Sequence, residues 1–149
     1  MLYTEKNMDY DDNYPTCRST NACLRGYSDK VEPNDITKTL GVEPSSIRIK
    51  GEFYFKNIPN KAHCWFLDSE SHVESKDNRR HLDWTIGQIT NNIEEFADLK
   101  NRGVKFDICC TWESKTNQGG PTINPKQKEP LARLGLDVWW EVWFSSEDD

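Results

Sequence analysis

The stretch that most limits what this chain can fold into lies near its end: Leu134-Gly135-Leu136-Asp137-Val138-Trp139-Trp140-Glu141-Val142-Trp143-Phe144. With the two-residue period of a strand, Leu136, Val138, Trp140, Val142 and Phe144 share one face, while Asp137, Trp139, Glu141 and Trp143 share the other. The first face is wholly apolar and is expected to lie under helices, because such a row of large side chains left in water would forfeit several kcal/mol of transfer free energy. The second sets carboxylates between indoles.

A second strand repeats the pattern. Along Lys105 to Glu113, Phe106, Ile108, Cys110 and Trp112 point inward and Asp107, Cys109, Thr111 and Glu113 outward. A third is read over Asn21 to Ser28, with Cys23, Arg25 and Tyr27 on one side and Ala22, Leu24 and Gly26 on the other. Ile47 to Lys50 alternates as an edge strand, and His63 to Asp68, apolar on both faces, as a more central one.

Helices fall between these strands. Glu32-Pro33-Asn34-Asp35 opens a short one, with Ile36 and Leu40 as its buried stripe and Gly41 as its stop. Leu82, Ile86, Ile89, Ile93, Phe96 and Ala97 step by three and four, which predicts one long amphipathic helix over about 79 to 102, capped by Asp77 or Asn78 and closed at Gly103. Glu129-Pro130-Leu131-Ala132-Arg133-Leu134 predicts another short helix, stopped at Gly135. Lys56 to Asn60 and Asn117 to Pro121 read as loops, with Gly119-Gly120 as a hinge.

The expected fold is therefore α+β: a two-layer sandwich with a mixed or antiparallel sheet, helices on one face and the element order of the ferredoxin-like split unit. Residues 21–144 form the single domain that 149 residues lead one to expect. Residues 1–20 read as an acidic flexible tail and 145–149 as an acidic end.

The net charge of −6 and the absence of a basic stripe disfavour nucleic acid as a partner and suit a basic protein. No apolar run approaches a membrane span, and the N-terminus lacks the pattern of a signal peptide, so a cytoplasmic protein is expected. The odd count of five cysteines, without framework spacing, fits a reducing compartment.

Asp107, Glu113, Asp137, Trp139, Glu141 and Trp143 are the candidate partner-binding residues, an acidic and aromatic platform on an open sheet face. The same indoles could instead lie under the N-terminal tail or join two copies in a homodimer. Carboxylates beside indoles also allow an alternative reading, a small hydrolase acting on a sugar or nucleotide. His63, Cys64, His72, His81, Cys109 and Cys110 are ligand types for zinc, but their spacing matches no metal motif, and no metal, cofactor or catalytic residue is expected. His81 with Cys64 or Cys109 would make a nucleophile pair lacking an orienting group. Arg79-Arg80 at a helix start opposes the dipole and hints at a partner acid.

Ala22-Cys23-Leu24-Arg25, then Glu32-Pro33 with Ile36 to Gly41, Arg48-Ile49-Lys50-Gly51-Glu52, Trp65, His81-Leu82 and Leu131-Ala132-Arg133-Leu134-Gly135-Leu136-Asp137 together resemble the bacterial domain of unknown function 4279 family. The resemblance spans roughly Asn21 to Phe144 and rests on caps, turns and core positions. It implies the fold and no reaction, cofactor or catalytic residue. Small bacterial proteins of this kind often neutralise toxins. The functional expectation is thus a non-enzymatic immunity protein that masks a basic toxin.

Overall fold

A computed structural model of the protein describes residues 10–144. In chain order it contains β1 (Cys17–Ser28), α1 (Pro33–Leu40), β2 (Ser46–Arg48), β3 (Phe53–Phe55), β4 (Ile58–Pro59), β5 (His63–Asp68), α2 (Asn78–Gly87), α3 (Ile93–Asn101), β6 (Lys105–Ser114), α4 (Pro125–Leu134) and β7 (Val138–Phe144). One five-stranded sheet runs β2-β5-β1-β6-β7, and β3 pairs with β4 as a separate hairpin. The β2–β5, β5–β1 and β1–β6 pairs are antiparallel, and β7 joins β6 in parallel. The first four strands of the sheet follow the ferredoxin-like order, to which α4 and β7 add a fifth strand.

The core lies on one side of this sheet. Ala22 and Leu24 of β1, Trp65 and Leu67 of β5, and Ile108 and Cys110 of β6 join Ile36, Leu82, Ile86, Phe96, Leu99 and Leu131 from the helices in one buried cluster. The intervening strand residues Cys23, Arg25, Tyr27, Asp107, Cys109 and Thr111 stay half-buried on the opposite face.

Several sequence expectations shift. β1 starts at Cys17 rather than Asn21, and residues 10–16 are fastened down, which moves the tail boundary. Asp12 accepts from Ser75 Oγ (2.6 Å) and from Arg80 Nε (2.8 Å), the Asp11 amide donates to Asp77 (2.7 Å), and Tyr10 donates to Asp83. The partner acids that Arg79 and Arg80 called for are Asp77 and Asp12 of the same chain. Residues 1–9 of the expected tail and the acidic end at 145–149 lie outside the described residues.

The long helix is two helices. Thr90-Asn91-Asn92 interrupts it, because these residues are poor helix formers whose side chains compete for backbone partners; the Asn92 side chain donates from Nδ2 to the Leu40 carbonyl (3.1 Å). The last helix starts at Pro125, not Glu129. Asn124 caps it by accepting from the Lys126 amide (2.9 Å), and Gln127 reaches back to the Asn124 amide (2.9 Å).

The apolar face of β7 is covered only in part. Leu136 is buried and Val138 and Trp140 are half-buried, but Val142 and Phe144 are exposed. Trp112, the β6 neighbour of Val142, is buried with Tyr14 of the N-terminal segment edge-on against it (ring centroids 6.3 Å apart), so the cover at this level of the sheet stops at β6.

Gly119 is a packing point rather than a hinge. Its φ of +87° lies in the left-handed region, and a Cβ there would sit 2.2 Å from Thr16 Oγ1. Gly119→Ala is expected to cost at least about 1–2 kcal/mol through backbone strain alone, with the clash added. Denaturant unfolding of Gly119→Ala with and without Thr16→Gly separates the two, since relieving the clash restores only part of the loss.

His81 is structural. Fully buried, it donates from Nε2 to the Ser75 carbonyl (2.8 Å), so Nδ1 accepts from Ser69 Oγ (2.7 Å), which in turn accepts from the Ala22 amide (2.9 Å). Its partners are serines, not Cys64 or Cys109. Burial holds the imidazole below its ordinary pKa against the opposing pull of the Ser75 carbonyl. Because the folded value is the lower one, this contribution is intact at neutral pH. It is lost as pH falls below the unfolded value near 6.5, at up to about 1.4 kcal/mol per pH unit. The melting temperature of the wild type should therefore drop more steeply below pH 6.5 than that of His81→Gln, which keeps a donor and an acceptor.

Candidate functional site

The face opposite the helices divides into two halves. On the β5–β1 side, Arg25 and Asp68 are met by partners within the sheet. Arg25 forms a bidentate pair with Asp107, Nε to Oδ1 at 2.6 Å and Nη2 to Oδ2 at 2.8 Å. Asn21 donates to both carboxylate oxygens of Asp68 (3.1 Å each) and accepts from the Thr111 amide (3.1 Å). Tyr27 meets Phe66 edge-on, with ring centroids 6.0 Å apart. These groups floor a broad hollow of about 590 Å³ that also reaches Cys23, Cys109 and Arg48. Cys23 and Cys109 stand opposite each other on β1 and β6, and burial pushes the Cys23 thiol up to about 12. Both are poor nucleophiles there.

The β6–β7 half differs. The register places Cys109 beside Trp139, Thr111 beside Glu141 and Glu113 beside Trp143, so these six side chains share the open face. Trp139 is 58% exposed and Trp143 62%. They stand about 13 Å apart along the strand, with Glu141 midway between them. Glu113 accepts from Ser19 Oγ (3.2 Å) and lies 3.8 Å from Arg18 Nε. Asp137, just ahead of β7, and Glu141 are exposed, and neither carboxylate has an ion-pair partner among the described residues.

Of the six residues predicted from sequence, the structure thus groups Glu113, Trp139, Glu141 and Trp143, sets Asp137 at the strand's entrance, and commits Asp107 to Arg25. The six tryptophans also sort themselves: Trp65 and Trp112 are buried, Trp84 and Trp140 half-buried, and Trp139 and Trp143 exposed.

Sequence reasoning missed a second exposed apolar element, the β3–β4 hairpin. Phe53, Tyr54, Phe55 and Ile58 are each more than half exposed, and Arg48 stacks on Tyr54 with its guanidinium 3.6 Å from the ring centroid. The signal was Phe53-Tyr54-Phe55 itself, an aromatic run beside the Lys56-Asn57 turn, both of whose residues adopt positive φ. Among the described residues no cluster of three or more His, Cys, Asp or Glu side chains could hold a metal ion, and no helix is long and apolar enough to cross a membrane.

The fold and this face define a small α+β protein with one sheet face packed under helices and the other open. The chain belongs to the family described as Domain of unknown function (DUF4279), whose family model matches residues 17–145. No curated protein and no solved structure matches it.

Proposed function

We propose that this protein is a non-enzymatic protein-binding module of the cytoplasm that docks a basic protein on the outer part of its open sheet face, in the manner of an immunity protein masking a toxin. One observation carries the reading: Trp139 and Trp143 stand largely exposed on either side of Glu141, whose carboxylate has no ion-pair partner among the described residues. Large rigid indoles at a surface are the anchors on which interfaces concentrate their binding energy, and an acid between them selects a cationic neighbour. The net charge of −6 adds long-range attraction for such a partner, and the five free cysteines suit a reducing compartment. The hydrolase reading draws no comparable support, since Asp107 is bound to Arg25 and Glu113 contacts Arg18 and Ser19.

Capture from the native cell extract tests the reading. The wild type should retain a basic partner in stoichiometric amount, and a variant with Asp137→Lys and Glu141→Lys should associate more slowly and lose most of the salt dependence. Equal association rates for the two proteins would refute this placement of the surface.

A further inference from the structure

The outer edge of β7 is as distinctive as its open face. The Ile108 amide donates to the Asp137 carbonyl (2.9 Å), so in the parallel ladder the odd-numbered residues of β7 turn their main-chain groups toward β6. Trp140, Val142 and Phe144 then direct their N–H and C=O groups outward along the edge. The sheet's other edge strand, β2, has three residues, whereas β7 has seven. Edges in stable monomers are blunted by charged side chains, prolines, bulges or brevity. Val138-Trp139-Trp140-Glu141-Val142-Trp143-Phe144 carries a single charge, Glu141, and no proline, and its pairing with β6 runs without a register shift. Apolar groups lie open on both sides of it, Trp139 and Trp143 on the open face and Val142 and Phe144 on the helix side.

We propose that β7 receives its partner as an added strand: an extended segment that continues the sheet, with basic side chains on the open-face side toward Glu141 and Asp137, and apolar ones on the helix side toward Val142 and Phe144. This rests on the docking surface proposed above and specifies how it is used. Charge decides the occupant. A second copy would bring another acidic β7 and another net charge of −6 to the same edge, while a strand with alternating cationic residues neutralises it. Main-chain hydrogen bonds supply affinity that depends little on the partner's sequence, and the indoles and Glu141 supply the choice of face and charge.

The test uses the full chain and a ten-residue peptide of alternating Lys and Val, acetylated and amidated, with a Glu–Val peptide as its charge control. Val142→Pro removes an outward N–H and leaves the ladder to β6 intact, a substitution an edge strand tolerates; Val142→Ala removes the side chain alone. The Lys–Val peptide should bind the wild type and should bind Val142→Pro at least tenfold more weakly, with Val142→Ala within about threefold. In the wild type, peptide should slow amide exchange at Val142 and Phe144 at least tenfold, a reading that needs no variant. Strand addition is overturned if Val142→Pro binds as Val142→Ala does, if those amides exchange unchanged, if the wild type binds neither peptide or both equally, or if β7 pairs with a second copy in a dimer that Val142→Pro disperses. Should Glu141→Lys still weaken the Lys–Val peptide while Val142→Pro does not, the docking face stands and only the strand-addition mode falls.

Discussion

Trp65→Ala is expected to remove about 3–5 kcal/mol of stability, the range for truncating a fully buried aromatic side chain. Trp65 is wholly excluded from water, stands opposite Gly26 on β1 and Ile47 on β2, and donates from Nε1 to Thr37 Oγ1 (3.0 Å), which ties the sheet to α1. Its loss opens a cavity and removes this tie between the sheet and α1. Small domains hold about 5–15 kcal/mol in total, so one substitution would consume a large share. Trp139→Ala and Trp143→Ala should each change stability by less than about 1 kcal/mol, because most of each ring is already in water. Urea unfolding at constant slope gives all three values. A loss at Trp139 or Trp143 comparable to that at Trp65 would make these indoles structural and remove the basis for the proposed interface.

This contrast bears on what a sequence reveals. Alternation in Lys105–Glu113 correctly separates buried Ile108, Cys110 and Trp112 from the outward Asp107, Cys109 and Thr111, since in a strand the two faces are fixed by parity alone. Parity does not tell how far a helix layer extends. Val142 and Phe144 share the inward parity of Leu136, yet the cover stops short of them. The break between α2 and α3 was hidden for a similar reason: Ile89 and Ile93 keep the helical spacing across Thr90-Asn91-Asn92, and Ile89 is fully buried although it lies outside either helix. At α4 the pattern of the sequence alone points to a start at Glu129. Pro130 reads as a first-turn residue, but the capping pair Asn124 and Gln127 puts the start at Pro125, and that pair was visible in the sequence. Pairings distant in sequence, such as Arg25 with Asp107 or Asp12 with Arg80, were not, because they depend on strand register and on where the N-terminal segment crosses α2. The candidate surface was therefore legible as a set of residues sharing a face. Which of its acids were already neutralised was not.

The second large effect concerns binding. Against the captured partner, Trp139→Ala and Trp143→Ala are each expected to weaken affinity by about 2 kcal/mol or more, roughly 30-fold, with the pair less than additive because both rings shield the same strip of strand. Glu141→Gln, which keeps the size and removes the charge, should act chiefly on the association rate. Titration calorimetry and stopped-flow fluorescence on each variant would read these separately. Losses below about twofold at both tryptophans would place the partner's anchor elsewhere, and the exposed hairpin residues Phe53, Tyr54 and Phe55 would then be the next surface to substitute.

The central claim, that the protein meets its partner on the outer strand, is tested most directly by hydroxyl-radical footprinting of the wild type alone and in complex, with oxidation read at each tryptophan and at the β3–β4 hairpin. Strong protection of Trp139 and Trp143 is expected, with Phe53, Tyr54 and Phe55 unchanged. Protection of the hairpin with Trp139 and Trp143 still fully reactive would contradict it.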